Sequence, residues 1–167
     1  MTRFIMSIQE AVRLVIESAC LVKGGEVFIT KMPVIRIKDL AEVMIEVLAK
    51  KYGRQPHNIP IKIIGSKPGE KLYEELMSLE ETRRSIELTK YFSVLPAFRG
   101  MYREIDYTYP DIVTNQVTTP YNSAEQQYLT QIQLRYFLDS NKLLETEDDL
   151  NHPNQRYWPG DKKEQYL

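Results

Sequence analysis

The residues best placed for chemistry lie in Ile63-Ile64-Gly65-Ser66-Lys67-Pro68-Gly69-Glu70-Lys71-Leu72-Tyr73-Glu74-Glu75-Leu76. Its pattern predicts a strand over Ile61–Ile64, a glycine turn, and a helix carrying Leu72, Tyr73, Leu76 and Met77. The first amides of such a helix are free to hold an anion, and Lys67 would help to neutralise a phosphate. Glu70 suits the positive end of the helix but repels a phosphate in direct contact, so a hydroxyl is its better partner. A plain alternative stays open: Gly65 and Gly69 only make turns, Pro68 starts the helix, and Lys67, Glu70 and Lys71 are solvated. Arg3 is the second candidate. It stands between Thr2 and the apolar Phe4-Ile5-Met6, where its fork either grips a phosphate or pairs with an internal carboxylate.

Other chemistry is missing from the pattern. There is no G-x-G-x-x-G after a strand, no G-x-x-x-x-G-K-[ST], no H-E-x-x-H, no paired C-x-x-C and no G-x-S-x-G. His57 and His152 both sit in proline-bounded polar loops and read as surface histidines. No catalytic, cofactor-binding or metal-binding residue is therefore assigned. The single cysteine, Cys20, lies in an apolar run and reads as a buried thiol in a reducing compartment. A net charge of −1 and a pI near 6.2 argue against nucleic acid and anionic membrane as partners. No apolar run reaches the roughly 20 residues needed to span a bilayer, and the opening residues lack a signal-peptide layout. The expected location is the cytoplasm.

The elements that must position these residues follow from spacing. Ser7 and Glu10 form a capping box before a helix from Ile8 to Val22, and Gly24-Gly25 ends it. Glu26–Thr30 suits a strand buried on both faces, and Val34–Ile37 a second extended piece. An amphipathic helix follows from Asp39 to Lys51, then a polar loop from Arg54 to Pro60. Thr130–Leu144 reads as a last helix, with Thr130 and Gln133 as its capping box. Alternation of helix and strand predicts an α/β fold with packed helices and a small, mostly parallel sheet. The divisions are a lobe over 1–144, comprising a core (1–79), an irregular wrapping region (80–122) and a C-terminal helix (123–144), then a polar mobile tail over 145–167.

Four segments in order resemble one family: MTRFIMSIQEAVRLV, KGGEVFI, MPVIRIKDLAEVM and KPGEKLYEEL, with fainter echoes at Tyr121-Asn122-Ser123 and Leu143-Leu144. They are similar to the C-terminal part of polysaccharide-biosynthesis proteins of the extended short-chain dehydrogenase/reductase class. The best-known members are UDP-N-acetylglucosamine 4,6-dehydratases, some of which also invert carbon 5. The resemblance implies an intact enzyme using NAD or NADP, bound in a Rossmann domain that also holds a Tyr-x-x-x-Lys pair. It implies that this chain is the substrate-binding lobe, not catalytic alone, with Thr2, Arg3, Lys67 and Glu70 at the nucleotide. Lys67 departs from the arginine usual in the R-P-G-E turn; it keeps the charge and loses the forked donor. The implied partners are a UDP-sugar and the missing Rossmann half or a separately encoded equivalent, with self-association as a further possibility. An excised fragment, a truncated gene product or a natural half all fit the sequence, as does an interaction module that keeps the fold and has lost the ligand.

Overall fold

Short antiparallel strands, not a parallel sheet, organise the chain in a computed structural model that describes residues 1–98, 100 and 104–144. β1 (Thr2–Phe4) pairs with β3 (Val34–Arg36), placing Arg3 opposite Ile35. β2 (Val27–Thr30), β6 (Tyr91–Val94), β5 (Ser85–Leu88) and β7 (Ile112–Thr114) lie side by side in that order. β4 (Glu75–Met77) pairs with β8 (Tyr121–Asn122) across a register shift. The expectation of a mostly parallel sheet is corrected. A helix does connect β1 to β2, but β1 pairs with β3 and β2 with β6, so no parallel crossover closes.

The four-stranded sheet is apolar on both faces because its strands alternate. Phe28, Ile86, Leu88, Tyr91 and Ile112 meet Leu14 and Leu21 of helix α1 (Ile8–Leu21) on one side. Ile29, Phe92 and Val94 meet Phe4, Met77 and Tyr121 on the other. A separate seam joins helix α2 (Ile37–Lys51) to helix α4 (Gln131–Ser140), with Ile35, Val43, Leu134 and Leu138 at its centre. The capping boxes at Ser7/Glu10 and Thr130/Gln133 are formed. A third, Ser78/Glu81, opens the one-turn helix α3 (Leu79–Thr82).

Several expectations change. Ile61–Ile64 forms no strand; Ile63 and Ile64 are 84% and 71% exposed. No helix follows the glycine turn, because tertiary pairing of Glu75–Met77 with β8 overrides the helical spacing. Region 80–122, expected to be irregular, holds β5 to β8. β2 is an edge strand with Val27 exposed, not one buried on both faces. Cys20 is exposed rather than buried. His57 sits on a single 3-10 turn, Pro56–Asn58, at the surface. His152 and the 145–167 tail lie outside the described residues.

Two core tyrosines make the fold sensitive to alkali. Burial, reinforced by a hydrogen bond to Glu17, pushes the Tyr91 phenol up to about 12. Burial does the same to Tyr109, up to about 12, with Ser93 opposing and Glu26 adding to the rise. The neutral phenols are the folded forms. Their stabilisation is therefore complete below pH 10, their ordinary value, and is lost as the pH climbs toward about 12. Phenolate absorbance of the 11 tyrosines, followed against pH, reads this out. A late component should coincide with loss of far-ultraviolet ellipticity and should shrink in Tyr91→Phe. A single ordinary transition for all of them would contradict this packing.

Candidate functional site

The opening strand and the segment after the glycine turn are stitched together along one edge. The Thr2 amide donates to the Leu72 carbonyl at 2.9 Å. Arg3 Nη2 donates to the Lys71 carbonyl and Nη1 to the Thr2 carbonyl, each at 2.7 Å. Its Nε lies 3.5 Å from Glu74 Oε1, with the side chains 23% and 43% exposed. Glu74 Oε2 accepts the Phe4 amide at 3.3 Å. Of the two fates open to Arg3, pairing with an internal carboxylate is present in the structure, and part of its fork still faces solvent.

Beneath the edge lies a hydroxyl pair. Thr2 Oγ1 is 3.0 Å from Ser123 Oγ, which also accepts the Glu74 amide at 2.9 Å. The Ser123 amide returns to the Glu74 carbonyl at 2.8 Å. Ser123 is fully buried, so these bonds have no competition from water. Glu74 and Ser123 were not among the residues expected at the site. The signal for Ser123 was its place in the Tyr121-Asn122-Ser123 echo; for Glu74 there was only its closeness to the turn.

Lys67 and Glu70 close the turn itself. The Lys67 amide donates to Glu70 Oε2 at 2.9 Å and the Glu70 amide to the Lys67 carbonyl at 3.1 Å. Gly65 and Gly69 have φ of 77° and 83°, which a side chain would strain. Both side chains at Lys67 and Glu70 are exposed. The structure ties Arg3 to the Lys71 carbonyl, and Lys67 stands four positions earlier, a backbone reach of at most ~14 Å. It does not supply the helix N-terminus expected between them. The turn therefore presents side chains, not a row of helical amides. Along the chain before the turn, Ile61 and Ile63 wall a groove of about 490 Å³ that Met1, Ile37 and Lys38 also line. That volume is within the range of small-molecule clefts.

The Rossmann cradle for a dinucleotide is a parallel βαβ unit opening on a glycine-rich turn. The described strands pair antiparallel, so the described residues form no such cradle. Among them, no group of three or more His, Cys, Asp or Glu could hold a metal ion. None of their helices is long and apolar enough to cross a membrane.

A mixed α/β lobe whose edge joins Arg3, Glu74 and the Thr2–Ser123 hydroxyls is the class that fold and geometry define. The chain belongs to the polysaccharide biosynthesis protein family, whose model matches residues 1–96 and so extends past the expected core through β6. It is 62% identical over 96 residues to an uncharacterized membrane protein of Methanocaldococcus jannaschii, covering 58% of this chain and 29% of that one. It is 31% identical over 108 residues to the inverting UDP-N-acetylglucosamine 4,6-dehydratase of Campylobacter jejuni, covering 65% of this chain and 29% of that one. The crystal structure of Pen from Bacillus thuringiensis matches at 38% identity with a TM-score of 0.72, over 87% of this chain and 40% of that one. The chain thus spans under a third of the length of the first two relatives.

Proposed function

We propose that this chain is the substrate-binding portion of a UDP-sugar 4,6-dehydratase/epimerase in surface polysaccharide biosynthesis, not catalytic on its own and working in the cytoplasm. The observation that carries the reading is the seam in which Arg3 joins the opening strand to the carbonyl of Lys71, next to the exposed Lys67–Glu70 turn. Arg3 and Lys67 supply positive charge for a diphosphate. Glu70 accepts from a sugar or ribose hydroxyl, and Thr2, held by Ser123, keeps the edge in register. A nicotinamide cofactor and the catalytic pair belong to the share of the family polypeptide beyond this chain's span.

Calorimetric titration of the full chain with UDP and with UDP-N-acetylglucosamine tests the reading. Saturable heat is expected at millimolar ligand, weaker in Lys67→Ala, whose exposed side chain can be removed without unfolding the lobe. No heat from either ligand would sink retained binding. A second reading, a non-catalytic interaction module that keeps the fold without the ligand, is favoured by one feature, the exposed Ile8, Val12, Val15 and Ile16 of α1. Light scattering separates the two, since an interaction module should not remain a clean monomer.

A further inference from the structure

The chain from Lys50 to Tyr73 is exposed at every residue except Pro56. Residues 50–71 carry Lys50, Lys51, Arg54, Lys62, Lys67 and Lys71 against Glu70 alone, a surplus of five positive charges in a chain whose net charge is −1. The whole-chain balance, which argued against an anionic membrane, averages this surplus away. Nor is the stretch merely a solvated run of cations. Ile63 and Ile64 are 84% and 71% exposed between Lys62 and Lys67, and Tyr52 is 65% exposed beside Lys51. Large apolar side chains are ordinarily withdrawn from water, so a set of them placed between cations marks a contact surface.

Helix α2 lays this stretch out along its own length. Gly53 and Arg54 donate their amides to the carbonyls of Lys50 and Ala49 at 3.1 and 2.7 Å, which folds the chain back at the end of the helix. Ile61 and Ile63 then stand across a groove from Lys38 and Ala41, near its beginning. A helix of 15 residues is ~22 Å long. Cations therefore lie at both ends of the run: Lys50, Lys51 and Arg54 at one, Lys38 and Lys62 at the other. The carboxylates of α2 nearby are already matched, Glu42 with Lys38 and Gln131, and Glu46 with Arg135.

Two large anionic bodies would meet such cations, a nucleic acid and a lipid bilayer. A nucleic acid offers phosphates to lysine and binds stacking rings, but it has no use for a pair of adjacent isoleucines. A bilayer surface takes both, with headgroup phosphates at the lysines and the acyl boundary at the isoleucines. We propose that the stretch from Lys50 to Ile64 docks on the surface of an anionic lipid bilayer, with Ile63 and Ile64 reaching below the headgroups. The contact needs no membrane-spanning helix, and among the described residues there is none. Lys67 and Glu70 lie beyond it and are left to the nucleotide, so the inference does not depend on the proposed function.

Sedimentation of the full chain with vesicles tests the proposal. Vesicles of phosphatidylglycerol and phosphatidylcholine in equal parts should carry the chain down at low salt, and vesicles of phosphatidylcholine alone should not. Added salt should release it, because screening shortens the reach of the charges. Each lysine or arginine near an anionic surface changes partition roughly fivefold, so Lys50→Gln, Arg54→Gln and Lys62→Gln together should weaken binding about a hundredfold. Ile63→Ser with Ile64→Ser should weaken it roughly tenfold through lost apolar burial. These side chains are exposed, so neither variant should move the melting temperature or the titration with UDP. No sedimentation with phosphatidylglycerol, equal sedimentation with phosphatidylcholine alone, or a variant that binds as well as the unmodified chain overturns the proposal. A lower melting temperature in the isoleucine pair overturns it too, because those side chains would then be packed in the fold. So does a DNA duplex bound more tightly than the vesicles with the isoleucine pair unaffected, which gives the face to nucleic acid. Absent heat with UDP sinks only the proposed function and leaves the bilayer result standing.

Discussion

Arg3→Ala should lower the melting temperature and weaken UDP binding together, more than any other single change at the edge. The side chain donates to two carbonyls, of Thr2 and Lys71, and faces Glu74. Hydrogen bonds from a charged donor contribute about 1.5–3 kcal/mol when shielded, and the Lys71 contact is exposed, so about 2 kcal/mol in total is expected. Glu74 is 43% exposed and its ion pair adds at most ~1 kcal/mol. For a chain of this size that is a drop of about 4–8 °C, read by far-ultraviolet ellipticity. Arg3→Lys is the informative partner. It restores the charge but not the fork, and one ammonium cannot serve the Thr2 and Lys71 carbonyls with the same geometry. If binding depends on charge alone, Arg3→Lys rescues it. If it depends on the stitched edge, titration heat stays low in both variants. An unchanged melting temperature in Arg3→Ala would mean that these bonds do not hold the edge.

Local signals in the sequence survived where the interaction was local. Ser7 with Glu10 and Thr130 with Gln133 lie three residues apart and satisfy each other's backbone, whatever the rest of the chain does. The apolar spacing of α2 was equally legible because its inner face meets one continuous seam. Topology was not legible. Helix–strand alternation suggests parallel crossovers, but β2 finds its partner β6 more than sixty residues later, at Thr30 opposite Tyr91. Nothing local in Glu26–Thr30 records that choice. The same non-local pairing turned Glu75–Met77 from helix into strand, and region 80–122 from wrapping loop into three of the four strands of the main sheet.

The site followed the same division. Arg3 was legible as a side chain that must have a partner, since an arginine inside an apolar strand is costly when unpaired. Its actual partners, the Lys71 carbonyl and Glu74, are about seventy residues away, and only a fold can name them. Lys67 and Glu70 were legible as a turn because Gly65 and Gly69 need positive φ. The role first given to helical amides at that turn was not sound, because it rested on a helix that tertiary pairing removes. Ser123 shows the limit most clearly. A serine in a polar run has no pattern that marks it as fully buried beneath Thr2.

The seam between α2 and α4 should be the most sensitive point of the fold, and through it of the site. Leu134 is fully buried against Ile35, Val43 and Leu138. Polar contacts along the same interface, Gln131 with Glu42 and Arg135 with Glu46, are exposed, so each contributes at most ~1 kcal/mol. Leu134→Ala leaves a cavity that the paired helices close only in part, at a cost of about 2–5 kcal/mol. That is a large part of a typical domain's ~5–15 kcal/mol. A melting temperature lower by about 10 °C is expected, against little change in Arg135→Ala. The loss should reach the edge by a definite route. Leu129, just before α4, donates its amide to the Val34 carbonyl at 2.7 Å, Val34 stands opposite Phe4, and Ile35 opposite Arg3. Loosening α4 therefore frees β3, and then β1, so amide exchange in Thr2–Phe4 should rise in Leu134→Ala even well below its melting point. If exchange at β1 stays at the wild-type rate while α4 opens, the edge is held from the Ser123 side alone.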